Sequence, residues 1–436
     1  MKHYFYSLLL LVMTSLFISC KNETPFVKTK GTQFVIGDKP YYFMGTNFWY
    51  GLNLGSKGVG GDRERLLREL DRLKDLGINN LRVVAGSEGP DKEPYRMVPA
   101  LQTAPGVYNE EVFDGLDFLL SEMKQRDMYA IMCLNNFWNW SGGVGQYMVW
   151  AGAADSIPYP PPHPGGNWDV YQKFAAKFYS SEKAVELFNN HIKVIVARKN
   201  SYTNLDYKND PTIMAWELGN EPRGVNNVEA YSKWIAATSG LIKQLDPNHL
   251  VTTGSEGKTS SSYSGTDPEK DHALASIDYQ TIHIWVQNWN IYNPAKADST
   301  LPVSIDYAQN YLNEHVAISQ KINKPMVLEE FGISRDGNSH EPSSTTKVRD
   351  EYYDRIFGAV YQRAATENNP VAGVNFWAWG GEGRPRIAEG MWKAGDNFIG
   401  DPPHEPQGWY SVYDKDTSTQ EVIKKYSELF NALGRK

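Results

Sequence analysis

The sequence predicts the α/β class, as a single (β/α)8 TIM barrel with long insertions in the loops at the C-terminal ends of its strands. Three observations predict it. Eight short apolar runs alternate with stretches of helical period. The runs are apolar at nearly every position, as a parallel sheet covered on both faces requires. No internal repeat and no linker splits the chain after residue 40, so its 436 residues read as one domain with insertions, although length alone suggests about three.

Tyr41–Asn47 reads as the first strand. Asp62–Leu76 is the first helix, with Leu66, Leu70 and Leu73 on one face, Asp62 as its cap and Gly77 as its stop. Asn80–Ala85 is the second strand, and Asn109 caps a helix carrying Val112, Leu116, Leu119, Leu120 and Met123. Met128–Leu134 is the third strand. After an aromatic insertion rich in Gly and Pro comes a helix over Ser181–Arg198, with Val185, Phe188, Ile192 and Ile195 in register. Thr212–Leu218 is the fourth strand, followed by a helix over 228–244; His249–Gly254 is the fifth, followed by a long irregular stretch. Asp278–Trp285, Pro325–Phe331 and Ala372–Trp379 complete the set, with helices near 306–320, 346–365 and 419–433. The stretches 136–170, 256–275, 286–303 and 381–415 all follow strands, and so gather on the face where barrel enzymes build their sites.

The chain opens with a targeting segment. Lys2 and His3 give a basic start, and the apolar stretch Leu8–Ile18 is too short to span a bilayer as a helix. Phe17-Ile-Ser-Cys20 resembles the cleavage box of bacterial lipoproteins, in which the Cys thiol is acylated. Residues 1–19 are therefore read as a signal peptide, Cys20 as the lipidation site, 20–31 as a linker with the start of a lead-in hairpin, and 32–436 as the barrel domain. The expected location is the cell envelope, at the outer membrane, held by the lipid anchor alone.

Composition narrows the function. With 44 basic against 51 acidic residues and a net charge of −7, the surface is unsuited to nucleic acid. Cys133 sits in the apolar run Met128–Leu134 and reads as a small core residue rather than a nucleophile. No H-E-x-x-H, G-x-S-x-G or phosphate-loop ending occurs, so no metal site, esterase or nucleotide site is expected, and no cofactor. Aromatic residues make up 13%, a surplus suited to stacking on flat ligands or to ordinary core packing.

Two carboxylates stand at strand ends. The fourth run closes on Asn220-Glu221-Pro222 and the seventh on Glu329-Glu330-Phe331. A charge ending a buried strand is costly unless it is paired or functional. Two such groups facing each other across a cleft are what glycoside hydrolysis needs, one to protonate the leaving oxygen and one to attack the sugar carbon. By strand alternation Glu329 points away from Glu330 and is given no chemistry. Trp289, Trp392 and Trp409, in long loops, are candidate sugar platforms, and Pro158 to Pro164 a candidate wall of the cleft.

Several longer runs are more specific: Leu134-Asn-Asn-Phe-Trp-Asn-Trp-Ser-Gly-Gly143, Gln146-Tyr-Met-Val-Trp150, Tyr207-Lys-Asn-Asp-Pro-Thr-Ile213, Trp216-Glu-Leu-Gly-Asn-Glu-Pro-Arg223, Leu328-Glu-Glu-Phe-Gly332, Phe376-Trp-Ala-Trp379 and Gln407-Gly-Trp-Tyr-Ser-Val-Tyr413. Over roughly residues 32–435 the chain resembles glycoside hydrolase family 5, in its mannanase subfamily, subfamily 7. The resemblance implies a retaining endo-β-1,4-mannanase acting on mannan, galactomannan or glucomannan as a monomer. It implies Glu221 as acid/base and Glu330 as nucleophile. Arg82 matches the residue that keeps the nucleophile ionised, and Asn220 the one that binds the 2-hydroxyl of the cleaved sugar. His283 matches a position beside the nucleophile, Trp377 the platform under the cleaved sugar, and Trp138 and Arg223 contacts to neighbouring sugars. Trp285 stands where the family often has a Tyr bonded to the nucleophile. Glu330's charge is expected to raise the acid's pKa. Two alternatives share the groove: an exo-acting mannosidase or mannobiohydrolase, and a lipoprotein that captures glycan without cleaving it. The presence of both carboxylates disfavours the second.

Overall fold

The computed structural model describes residues 25–259 and 262–435. The signal segment and Cys20 lie outside the described residues. Eight parallel strands carry the fold: β1 (Phe43–Asn47), β2 (Asn80–Val84), β3 (Tyr129–Cys133), β4 (Ile213–Glu217), β5 (Leu250–Thr252), β6 (Gln280–Ile284), β7 (Met326–Phe331) and β8 (Val371–Phe376). They hydrogen-bond in the order β5-β4-β3-β2-β1-β8-β7-β6. The seam between β5 and β6 is bridged where the Asp278 N–H donates to the Val251 carbonyl (2.8 Å) and the Val251 N–H to the Asp278 carboxylate (2.6 Å). The ring is thus nearly closed, which is the predicted (β/α)8 architecture. Every β1 to β8 residue except the half-buried Tyr129 is buried, which is why the runs read as continuously apolar.

Helices follow each strand: α1 (Arg63–Asp75), α2 (Glu110–Gln125), α3 (Glu182–Val196), α4 (Val228–Leu245), the short α5 (Pro268–His272), α6 (Ala297–Ile322), α7 (Lys347–Ala364) and α8 (Thr417–Leu433). The expected caps form: Asp62 accepts from the Arg65 N–H (2.9 Å) and Asn109 from the Glu111 N–H (3.1 Å). Gly77 takes φ +78°, the left-handed turn expected to stop α1. α6 begins nine residues before the expected 306 and contains Pro302, a residue type that usually ends or kinks a helix.

Residues 27–41 form a three-stranded antiparallel sheet, Val27–Lys30, Gln33–Ile36 and Lys39–Tyr41. Its Phe34 ring packs on Phe43 (6.2 Å) and edge-on to Tyr279 (5.2 Å), so the sheet plugs the N-terminal mouth of the barrel. The stretch read as a linker to residue 31 is therefore folded from Val27 onward, and the domain begins earlier than residue 32. Cys133 is buried and free, as a core thiol.

Candidate active site

The C-terminal ends of β2, β4, β6 and β7 deliver Arg82, Glu221, His283 and Glu330 to one point. An oxygen of Glu221, a ring nitrogen of His283 and an oxygen of Glu330 lie within 4.8 Å of one another. Both carboxylates are nearly dry, 6% and 2% exposed. Glu221 follows β4 on a backbone with φ +50°, a left-handed conformation that non-glycine residues rarely adopt. Its N–H is held by the Gly254 carbonyl (2.9 Å). Gly254 itself has φ +75°, and a Cβ there would meet Glu217 Oε1 at 2.4 Å.

Glu221 accepts three hydrogen bonds: His283 Nδ1 (2.8 Å) and Trp285 Nε1 (3.1 Å) on Oε1, and Trp138 Nε1 (2.7 Å) on Oε2. Trp285 thus bonds the acid carboxylate where the family's Tyr would reach the nucleophile. Glu330 is bonded by Arg82 Nη1, and His283 Nδ1 lies 3.3 Å from its other oxygen. Arg82 is itself clamped by Glu217, with Nε to Oε2 at 2.8 Å and Nη2 to Oε1 at 2.6 Å, and by Asn47 (3.0 Å) and Asn220 (2.9 Å). Every donor of the guanidinium fork is directed at a fixed acceptor, so Glu330 is presented in one orientation.

The protonation pattern departs from the expectation for the pair. Burial pushes Glu330 up to about 7, against the pull of His283 and Arg82. Burial also opposes ionisation of Glu221, but the hydrogen bond and charge of His283, the charge of Arg223 and the Trp138 N–H hold it down, at about 2. His283 is destabilised as a cation by burial, yet Glu330 and Glu221 raise it to about 10. Sequence reasoning missed this because the decisive group, His283, sits between the two acids. These opposing directions favour the proton on His283, one hydrogen bond from Glu221. Moving that proton along Nδ1···Oε1 gives a neutral imidazole and a protonated Glu221. The three side chains face one another through these atoms, so a proton can be shared among them.

A cleft of about 950 Å³ opens over this set. Asn220, Arg223, Trp138, Trp285 and Trp377 line it, as do Trp289, Trp409, Pro161 and Pro162. Trp377 stands edge-on to Trp285 (5.8 Å). Arg223 is salt-bridged to Glu256 (2.7 Å), and its guanidinium lies 4.9 Å over the Trp138 ring, so it braces that indole besides facing the cleft. Trp392 is not on the wall: it stacks on Phe398 (5.1 Å) and bonds Asn397 within its own loop (3.2 Å).

Sequence reasoning missed Glu217 and Glu256, which anchor the two arginines, and the wall residues Trp140, Trp168, His404 and Glu405. Glu217 ends β4 within the run Trp216-Glu-Leu218, where alternation alone marks it as one more strand residue. One earlier placement is corrected. Glu329 does not point away from the site: the β6–β7 pairing skips it, Ile282 facing Leu328 and His283 facing Glu330, and this bulge turns both glutamates inward. Replacing Trp138 by Phe keeps the ring and removes the N–H on Glu221; we expect kcat/KM to fall about tenfold, as for one charge-assisted hydrogen bond, in steady-state assays.

A family model described as GH family 5 beta-mannosidase-like matches residues 24–434. The chain belongs to this glycoside hydrolase family. A glycoside hydrolase family 5 mannosidase from Rhizomucor miehei is 41% identical, covers 95% of this chain and 99% of its own, and superposes with a TM-score of 0.87. Mannan endo-1,4-beta-mannosidase 7 of Arabidopsis thaliana is 31% identical, over 81% of this chain and 77% of its own. The endo-beta-1,4-mannanase of Thermotoga petrophila is 25% identical, over 91% and 78%, with a TM-score of 0.66. This family 5 chain is a glycoside hydrolase.

Proposed function

We propose that this family 5 chain is a retaining endo-β-1,4-mannanase, cleaving internal bonds of mannan, galactomannan or glucomannan. The observation that carries the reading is the convergence of Glu221 and Glu330 oxygens within 4.8 Å in an aromatic-lined cleft. Inverting enzymes need about 6.5 Å or more between carboxyl groups to seat a water; a closer pair suits direct attack. Glu330 attacks the anomeric carbon while Glu221, loaded through His283, protonates the bridge oxygen. The resulting ester removes Glu330's charge, and Glu221, returned to the carboxylate, takes a proton from the water that releases the sugar. Assignment to the mannanase subfamily, and action as a monomer, belong to the same reading.

Digestion of linear mannan and mannotetraose tests it. Mixed short oligomers appearing early support internal cleavage; intact substrate after exhaustive incubation sinks it and leaves a glycan-capture protein. Mannose or mannobiose as the sole early product supports a second reading, removal of units from chain ends. That reading is favoured by one observation: the 381–415 segment brings Met391, Pro402, His404, Glu405, Pro406 and Trp409 onto the cleft wall, where they can close one end.

The pH profile follows from the site. Turnover needs Glu330 ionised, so activity is lost as pH falls through about 7. It also needs the proton shared by His283 and Glu221, so activity is lost as pH rises through about 10. A kcat/KM profile with its maximum between these limits is expected; a maximum below pH 5 would contradict it.

Residues 1–19 serve in this reading as a removed signal and Cys20 as the lipid-bearing residue of an exported, envelope-anchored lipoprotein. No helix among the described residues is long and apolar enough to cross a membrane. Cys20→Ala is expected to move the protein from the membrane to the detergent-free soluble fraction; an unchanged distribution would refute the anchor.

A further inference from the structure

Glu329 is fully buried, and neither of its oxygens has a hydrogen-bond partner among the described residues. A carboxyl left in that condition is costly, and an apolar side chain of the same volume would fill the place more cheaply. The bulge that turns it inward is fixed: Asn47 Nδ2 donates to the Glu329 carbonyl at 2.9 Å. Its carboxyl faces Arg82 Nε at 3.8 Å and His283 Nε2 at 3.7 Å. Glu217 from β4, Glu330 beside it on β7 and Tyr279 just before β6 are the other titratable neighbours. Arg82 Nε is already committed to Glu217. His283 Nε2 is not: it has no hydrogen-bond partner among the described residues, and closing its gap to Glu329 takes a movement of about 0.5 Å.

We propose that Glu329 is a positioning residue that keeps a proton on His283 Nε2, so that Nδ1 is the nitrogen that exchanges a proton with Glu221. Neutral imidazole has two tautomers, and a partner on one nitrogen selects between them. With Nε2–H held toward Glu329, the lone pair left by deprotonation falls on Nδ1, 2.8 Å from Glu221 Oε1. Proton transfer then runs along a bond that already exists. Held on Nδ1 instead, the ring proton would point at the carboxylates without being released. The proton on Nε2 stays in place throughout, so no oxidant or co-reactant is involved. This inference rests on the proposed role of Glu221 as acid/base.

Two measurements test it. In wild-type protein carrying nitrogen-15 histidine, NMR titration is expected to show His283 losing its Nδ1 proton and retaining Nε2–H; loss from Nε2 overturns the proposal and needs no variant and no substrate. In Glu329→Gln, which keeps the volume and removes the ionisable carboxyl, the alkaline limb of kcat/KM is expected to fall by about one pH unit, a tenfold change in the proton equilibrium. In a His283→Ala background the same substitution should no longer move the limb. A Glu329→Gln profile that superimposes on wild type, or a shift that persists without His283, overturns the proposal. Wild-type protein inert on mannotetraose would instead fail the hydrolase reading, and the NMR result would stand apart from it.

Discussion

Glu330→Ala is expected to end turnover, by roughly 10⁴-fold or more, while mannotetraose still binds. The loss is large because Glu330 is the group that forms the covalent bond in the proposed double displacement. Binding survives because the aromatic wall of Trp138, Trp285 and Trp377 is untouched. The variant also decides the roles of the pair, which matters here because Glu330, not Glu221, is the carboxyl pushed upward. With an activated aryl β-mannoside and azide, Glu330→Ala should yield the α-mannosyl azide, since azide then displaces the leaving group once, from the vacated face. Glu221→Ala should yield the β-mannosyl azide, since azide intercepts the covalent intermediate. The opposite pairing of products would exchange the two assignments. Isothermal titration of substrate into Glu330→Ala checks the binding half; loss of binding together with activity would mean that the cleft has collapsed.

What was legible in the sequence follows from burial. The eight strands announced themselves because both faces of a barrel strand are covered, so their runs are mostly apolar. Glu221 and Glu330 stood out as exceptions to that rule. The same reasoning misplaced Glu329, because alternation assumes an unbroken register, and the bulge between Ile282 and His283 is set by the partner strand. It also reversed the pKa order. Two acids taken alone repel and raise one another, whereas His283, more than 60 residues from Glu221 in sequence, inserts an imidazolium between them. Glu217 and Glu256 were missed for a related reason: their work is to hold arginines that reach them across the barrel, and nothing local records it. The lead-in strand Val27–Lys30 was read as linker because its partner residues lie in the strand that follows, and only Val27 of its four residues is buried.

Arg82→Leu is expected to cost about 3–5 kcal/mol of stability, the range for removing one partner of a buried ion pair. Arg82 is the sole full charge bonded to both Glu217 and Glu330 among the described residues. Its replacement leaves two buried carboxylates with no cation in contact except His283, which lies near Glu330 alone. In the variant the folded-state pKa of Glu330, already raised by burial, rises further above its unfolded value. Folding is then favoured at low pH and loses stability as pH rises through the folded-state pKa of Glu330. The penalty relative to wild type should therefore be larger at pH 8 than at pH 5, measured as the difference in urea midpoint multiplied by the slope. Arg82→Lys keeps the charge but cannot span Glu217 and Glu330 with one planar fork, so its stability should fall between the two while its activity stays low. Adding Glu217→Gln to Arg82→Leu should recover part of the loss, because one stranded carboxylate is gone; equal midpoints for the single and double variants would show that the clamp, and not the stranded charge, sets the cost.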